Sequence, residues 1–222
     1  MTEVEAVDWL KAHLNVSRET MDALESFVAF LKREAESQNL ISASTLDHIW
    51  ARHIVDSAQL LLFTDVSAEQ INWLDLGSGA GFPGLVIALL TKHQVTLVES
   101  RARRIDYLQR AIEMLDLTPR VRVAGVTLER LETAPYAVIS ARAFAPLPKL
   151  FDLAARFATN KTLWLLPKGR NAKAEWEGAR AQWDGDFRVM DSVTDQEAGI
   201  LVGTLSGKRK ARAIFETQGQ EE

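Results

Sequence analysis

The segment Trp73-Leu74-Asp75-Leu76-Gly77-Ser78-Gly79-Ala80-Gly81-Phe82-Pro83-Gly84 constrains the fold more than any other part of the chain. An apolar run ends on an acid, breaks into four glycines, and gives way to a second apolar run from Leu85 to Leu90. Glycine reaches positive φ without strain and puts no Cβ between the main chain and a ligand, so such a turn lets a ligand lie against peptide N–H groups. Pro83 suits the first turn of a helix over 84–92, where its missing N–H has no partner to lose. The pattern predicts a strand, a nucleotide-binding turn and a helix. A purely structural tight turn with a strand-end acid is the alternative reading.

The window contains both Gly77-x-Gly79-x-Gly81 and Gly79-x-Gly81-x-x-Gly84, and glycine spacing alone does not choose a cofactor. Two details favour S-adenosylmethionine over NAD. Asp75 stands before the first glycine, where a carboxylate takes up an ammonium, directly or through water, and repels a pyrophosphate. Glu99 ends the next apolar run, where an acid accepts the ribose hydroxyls of either cofactor. Tyr107 and Tyr136 have no lysine four residues on, which weakens an NAD(P) oxidoreductase of the short-chain type.

The 222 residues, 47% hydrophobic and 25% charged, fit one large domain or a main domain with a small helical extension. The absence of cysteine excludes disulfides, thiolate metal sites and cysteine nucleophiles, and with them the enzymes that methylate pyrimidine C5 covalently. His13, His48, His53 and His93 have no metal-ligand spacing, so no metal is expected. A net charge of −4 gives no general attraction to nucleic acid, and any RNA contact must use local basic patches. No apolar run is long enough to span a bilayer, and the first residues, with Glu3, Glu5 and Asp8, lack the basic start of a signal peptide; a cytoplasmic protein is expected.

Residues 1–66 read as a helical extension, with Met21, Leu24, Val28 and Leu31 at helical spacing after a cap at Ser17. A further helix is expected from Ser44 or Thr45, with Leu46, Ile49, Trp50, His53, Ser57 and Leu60 along one face. From residue 67 to 216 strands alternate with helices. Strands are expected at 72–76, 95–99, 121–124, 137–140, 162–166, 187–193 and 200–205, and helices at 101–115, 147–158 and 172–182. No helix separates the last two strands, which predicts that they pair antiparallel at the end of a mainly parallel sheet. This is a Rossmann-like α/β fold of the seven-stranded kind that class I S-adenosylmethionine-dependent methyltransferases use. Residues 217–222 read as a frayed tail.

The other charged and aromatic residues have simple structural readings beside any functional one. Arg52 and Asp56 form an i, i+4 helix pair, and His53 is a core or surface histidine with a local partner such as Asp56. Arg101, Arg103 and Arg104 oppose the macrodipole of their helix, which suggests either RNA phosphate binding or relief by Glu99, Asp106 or solvent. Lys168, Arg170 and Lys173 offer a second phosphate contact, and the basic run over 207–212 reads as solvated charge. Trp176 and Trp183 share a helical face at i, i+7 and read as core; Trp50 reads as helix core, and Trp73 and Trp164 as strand packing.

Five pieces in order resemble the RsmG (GidB) family of methyltransferases, which modify guanine N7 in small-subunit 16S ribosomal RNA. They are Asn39-Leu40, Arg52-His53-Ile54-Val55-Asp56-Ser57, the 75–84 loop, Ser140-Ala141-Arg142-Ala143-Phe144-Ala145-Pro146-Leu147, and Pro167-Lys168-Gly169. The resemblance implies that Gly77 and Phe82 line S-adenosyl-L-methionine, in the loop whose Asp75, Ser78, Gly79 and Gly81 are, with Glu99, the other residues expected to hold it. It implies that Thr127 and Leu128 present backbone groups to the adenine, that Arg142 reaches both cofactor and substrate, and that His53 and Lys168 border the incoming guanine. The partner it implies is ribosomal RNA in an assembled or partly assembled small subunit, with no metal and no membrane. One piece departs from the family: a Gly-Arg-Ala-Glu-like sequence after the third strand is Gly125-Val126-Thr127-Leu128-Glu129 here.

Guanine N7 carries an in-plane lone pair and no proton, so its methylation needs no general base, only a methyl group held in line. The chain also lacks the Asp/Asn-Pro-Pro-aromatic segment used by enzymes that methylate amines. Arg142 can donate a bidentate pair to guanine O6 or a phosphate, whereas binding N7 itself would block the reaction. The alternatives are a class I methyltransferase acting on another RNA or a small molecule, and a ribosome-associated RNA-binding protein without turnover.

Overall fold

The computed structural model describes residues 1–64 and 70–209. The expected boundary at residues 66 and 67, the basic positions from Lys210 to Arg212 and the tail at 217–222 lie outside the described residues. A seven-stranded sheet runs in the order β3-β2-β1-β4-β5-β7-β6. Its strands are β1 (Asn72–Leu76), β2 (Gln94–Val98), β3 (Val121–Ala124), β4 (Val138–Ala141), β5 (Leu163–Lys168), β6 (Trp183–Asp191) and β7 (Gly199–Lys208). The first five pair in parallel, and β7 enters antiparallel between β5 and β6, which agrees with the expected pairing of the last two strands.

Neighbouring residues of each parallel strand serve opposite faces, as the two-residue period requires. Trp73 and Leu165 enter one core with α4 (Gly84–Leu90) and α5 (Ala102–Met114), while Leu74 and Trp164 enter a second core with α6 (Leu147–Ala154) and α7 (Ala172–Ala179). The first core also takes Leu10 from α1 (Glu3–Leu14) and Leu24, Phe27 and Leu31 from α2 (Arg18–Ala35). The N-terminal helices therefore complete one face of the sheet. Ser17 caps α2 as expected, its hydroxyl accepting from the N–H of Thr20 at 3.2 Å.

Three local expectations are corrected. The helix expected from Ser44 is a 3-10 turn (Ala43–His48), a π-helix (Trp50–Val55), a short α3 (Asp56–Ala58) and a further 3-10 turn (Gln59–Phe63). The change of pitch is fixed from outside the segment: both carboxylate oxygens of Glu3 accept main-chain N–H groups, from Trp50 and Ala51, at 3.0 Å each. The helix expected over 172–182 ends at Ala179, and Trp183 opens β6. Trp183 and Phe187 are both buried, and a spacing of four puts residues on one side of a strand as well as near one side of a helix. The helix expected over 147–158 is α-helical to Ala154 and finishes in a 3-10 turn (Ala155–Phe157).

Candidate active site

The glycine turn leaves β1 where the strand order reverses, between β2 on one side and β4 on the other, which is where doubly wound sheets bind ligands. Gly77, Gly79 and Gly81 all have positive φ, at 69°, 57° and 93°. A Cβ on Gly77 would stand 2.7 Å from the ring of Phe144, and one on Gly84 would strike Leu97 and Asp75. The N–H groups of Gly77 and Ser78 donate to Val98 at 2.9 and 3.1 Å, while those of Gly79 and Ala80 have no acceptor among the described residues. The turn is thus tied to β2 and keeps two main-chain donors for a ligand.

Asp75 holds this turn from behind. It is 0% exposed; Oδ1 accepts from the Ser140 hydroxyl at 2.8 Å, and Oδ2 accepts from the Gly84 N–H at 3.2 Å. Ser140 Oγ in turn accepts from the indole N–H of Trp73 at 2.8 Å. Burial pushes the Asp75 carboxyl up to about 6, against the lowering effect of its hydrogen bonds and of the Arg142 charge. With no surface and both oxygens engaged, it braces β4 and α4, a role beside the contact with a cofactor ammonium, direct or through water, expected from the sequence. Ser78 is also turned inward, its hydroxyl donating to the Asp75 carbonyl at 3.1 Å.

Glu99 is buried at the end of β2. Its Oε1 accepts from the N–H groups of Ser100 and Arg101 at 2.8 and 3.0 Å, and its Oε2 lies 3.7 Å from Arg104. Arg104 also donates to the carbonyl of Asn39 at 3.3 Å and reaches the edge of the turn at Gly79. The unfavourable charge at the start of α5 is therefore relieved by Glu99 at Arg104, while Arg101 and Arg103 remain exposed. Thr127 is exposed and opens a 3-10 turn (Leu128–Arg130); Leu128 is buried, and its carbonyl accepts from Arg156 at 2.6 Å.

The ring of Phe82 is buried at the end of the turn, with His53 and Arg142 lying on it. His53 stacks on it at 4.9 Å and 18°, Phe27 packs at 5.5 Å, and the Arg142 guanidinium lies 5.3 Å from the ring centroid. Arg142 Nη2 is 2.9 Å from His53 Nδ1, and His53 Nε2 is 2.9 Å from the Thr45 hydroxyl. Guanidinium only donates, so Nδ1 is the acceptor and Nε2 bears the proton of a neutral imidazole. Burial, then the charges of Arg142 and Arg52, hold the His53 pKa down to about 3. Arg142 Nη1 donates to the Arg52 carbonyl at 3.1 Å and to Asp56 at 3.3 Å. This corrects the expected local pair: Asp56 turns to Arg142, and Arg52 pairs with Asp195 at 3.0 Å.

A cavity of about 990 Å³ opens beside this cluster, lined by Thr45, His53, Arg142, Phe144 and Lys168 among others. Lys168 donates to Glu175 at 2.8 Å and to the Ala145 carbonyl at 3.4 Å, so it braces the loop after β4. Ala143 in that loop takes φ 51° and Phe144 covers Gly77. The three side chains expected around a substrate, His53, Arg142 and Lys168, thus meet at one cavity. No cluster of three or more His, Asp or Glu able to hold a metal ion occurs among the described residues. Thr45, Asp56 and Ser140 were not singled out as site residues, and a hydroxyl or an acid far along the chain leaves no spacing signal of its partner.

The family model described as rRNA small subunit methyltransferase G (GidB) matches residues 20–199. The chain belongs to that family. The ribosomal RNA small subunit methyltransferase G of Zymomonas mobilis is 50% identical over 218 residues, covering 96% of this chain and 98% of its own. That of Rhizorhabdus wittichii is 54% identical over 205 residues, covering 92% and 93%. The family's sheet is shared with distant methyltransferases. An O-methyltransferase from Bacillus cereus in complex with SAH has a TM-score of 0.58 at 16% identity, covering 91% of this chain and 97% of that one. One described as a putative O-methyltransferase from Klebsiella pneumoniae has a TM-score of 0.57 at 14% identity, covering 90% and 96%. At those identities the likeness concerns the fold, here that of the class I methyltransferases. Among the described residues no helix is long and apolar enough to cross a membrane.

Proposed function

We propose that this protein transfers a methyl group from S-adenosyl-L-methionine to N7 of one guanine in small-subunit 16S ribosomal RNA, in the cytoplasm and on an assembled or partly assembled subunit, without a metal. The observation that carries this is the family match across 180 residues, which spans the glycine turn and the cavity that His53, Arg142 and Lys168 share. The turn suits the cofactor by the absence of Cβ atoms at three positive-φ positions and by the N–H groups of Gly79 and Ala80, which have no acceptor among the described residues. Gly77, Gly79, Gly81 and Glu99 are assigned to hold it, with Thr127 and Leu128 flanking the adenine. Bound there, the sulfonium supplies an electrophilic methyl group.

The chain's own contribution is placement. A neutral His53 accepts from Arg142 and is not needed as a base, because N7 has no proton to lose. Arg142, with Nη1 and Nη2 held by Asp56 and His53, is fixed over Phe82 between the turn and the cavity, where its remaining donors suit guanine O6 or a phosphate. Orientation of this kind is worth roughly 7–11 kcal/mol in the best cases. Lys168 and Glu175 steady the loop that carries Phe144.

The test is transfer from labelled S-adenosylmethionine to small subunits from cells lacking the protein, with the product mapped chemically. Label at a single 7-methylguanine is the expected result. Cofactor binding with no label transferred would leave the class of enzyme in place and remove this substrate.

A further inference from the structure

The arginine and lysine side chains that line the cavity are each paired with an acid among the described residues. Deep in it, Arg142 meets Asp56 and Lys168 meets Glu175. At the edge, Arg52 meets Asp195 at 3.0 Å, and Arg170, next to the lining residue Gly169, meets Glu197 at 2.9 Å. The inner pairs are half-buried and locked by further hydrogen bonds. The outer pairs are open to solvent, with side chains 46% and 36% exposed in the first and 75% and 69% in the second. Pairs so exposed contribute little to stability and exchange partners easily.

Both outer acids sit on one turn, the residues 192–198 that join β6 to β7. The base of this turn is anchored to the segment after the π-helix. The Val193 N–H donates to Gln59 at 2.9 Å, and the Thr194 hydroxyl donates to Asp56 at 2.8 Å. Its tip is held across to other elements by the two ion pairs, and within the turn by main-chain bonds and by the Glu197 N–H, which donates to Asp195 Oδ1 at 3.0 Å.

We propose that the 192–198 turn is an electrostatic cover: Asp195 and Glu197 occupy the places of two RNA phosphates on Arg52 and Arg170, and RNA docking exchanges carboxylate for phosphate at both. The inference rests on the ribosomal RNA reading above and adds the contact surface. Two non-bridging oxygens of a phosphate can accept from an arginine as the two oxygens of a carboxylate do, so either acid can be exchanged for a phosphate on the same guanidinium. Because both acids ride on one turn, one displacement frees both cations. A cover of this kind also fits a chain of net charge −4, since nucleic acid of the wrong shape meets a neutralised rim.

The test measures KM for unmodified small subunits at several salt concentrations, together with cofactor affinity by calorimetry. Arg52→Ala with Arg170→Ala should raise KM at least about tenfold and reduce the slope of log KM against log salt by about one to two, with cofactor affinity unchanged. Asp195→Asn with Glu197→Gln should lower KM below that of the unaltered protein. Both substitution pairs lie on exposed positions, and thermal melts check that each variant folds. An arginine variant with unchanged KM and salt slope overturns the proposal, as does an acid variant whose KM is equal or higher. Failure of the unaltered protein to label subunits would instead count against the ribosomal RNA reading.

Discussion

His53 shows how the partner of a side chain can escape a reading of the sequence. Its place on a helical stripe and in the Arg-His-Ile-Val-Asp-Ser segment points to the site, but the partner, Arg142, lies 89 residues away and sets both its tautomer and its charge. The unfolded chain takes up a proton on this residue near the ordinary value of 6.5, whereas the folded protein holds off until about 3. Acidification through that window therefore favours unfolding. His53→Asn keeps an acceptor for Arg142 and removes the titration. The stability lead of the unaltered protein over this variant is expected to shrink by up to about 1.4 kcal/mol per pH unit below 6.5. Urea denaturation of both proteins between pH 7.5 and 4.5 checks it, and a gap that stays constant would mean that His53 takes up its proton at the same pH in the fold as in the unfolded chain. Asp75, raised to about 6, acts in the opposite sense between its ordinary 3.8 and that value, but equally in both proteins. The acid before the first glycine was legible as important; that it braces the turn was not, because Ser140 and Gly84 are brought to it only by the sheet.

At the level of elements, the seven strands, the glycine turn and the helix at 101–115 were legible because apolar period and punctuation agree there. The segment from Ala43 to Phe63 was not, since a stripe at three- and four-residue spacing does not distinguish an α-helix from a run of 3-10 and π turns. Glu3 settles the matter from the first helix, and an acid so near the start of a chain reads only as a helix N-terminal charge. Glu3→Ala leaves the Trp50 and Ala51 N–H groups without an acceptor and is expected to cost about 1–3 kcal/mol. Because the π-helix carries His53, the same variant should also weaken methyl transfer. Equilibrium unfolding with a cost below about 0.3 kcal/mol would show that water replaces the carboxylate without loss.

For the whole molecule, the change of rhythm near residue 66 suggests an N-terminal helical extension followed by an α/β domain. The structure puts Leu24, Phe27 and Leu31 in the same core as Trp73, Leu85 and Tyr107. Stripes on separate helices announce that each has a buried face but not which surface covers it. A shared core predicts one cooperative transition, with calorimetric and van't Hoff enthalpies equal. Two resolved transitions, or a folded protein lacking residues 1–42, would mean that the extension is an independent unit. Site residues come from both parts, His53 from one and Arg142 from the other, so loss of the extension is expected to abolish activity.

The sheet's last strand has a consequence for genetics. β7 lies between β5 and β6, so a strand encoded after all the others is an interior strand that the sheet needs for closure. A stop codon before Gly199 removes β7, leaving Leu163 to Lys168 unpaired on that side and Trp183 to Asp191 without their strand partner. Alleles truncated there should therefore inactivate the protein almost as completely as alleles truncated in the first helices.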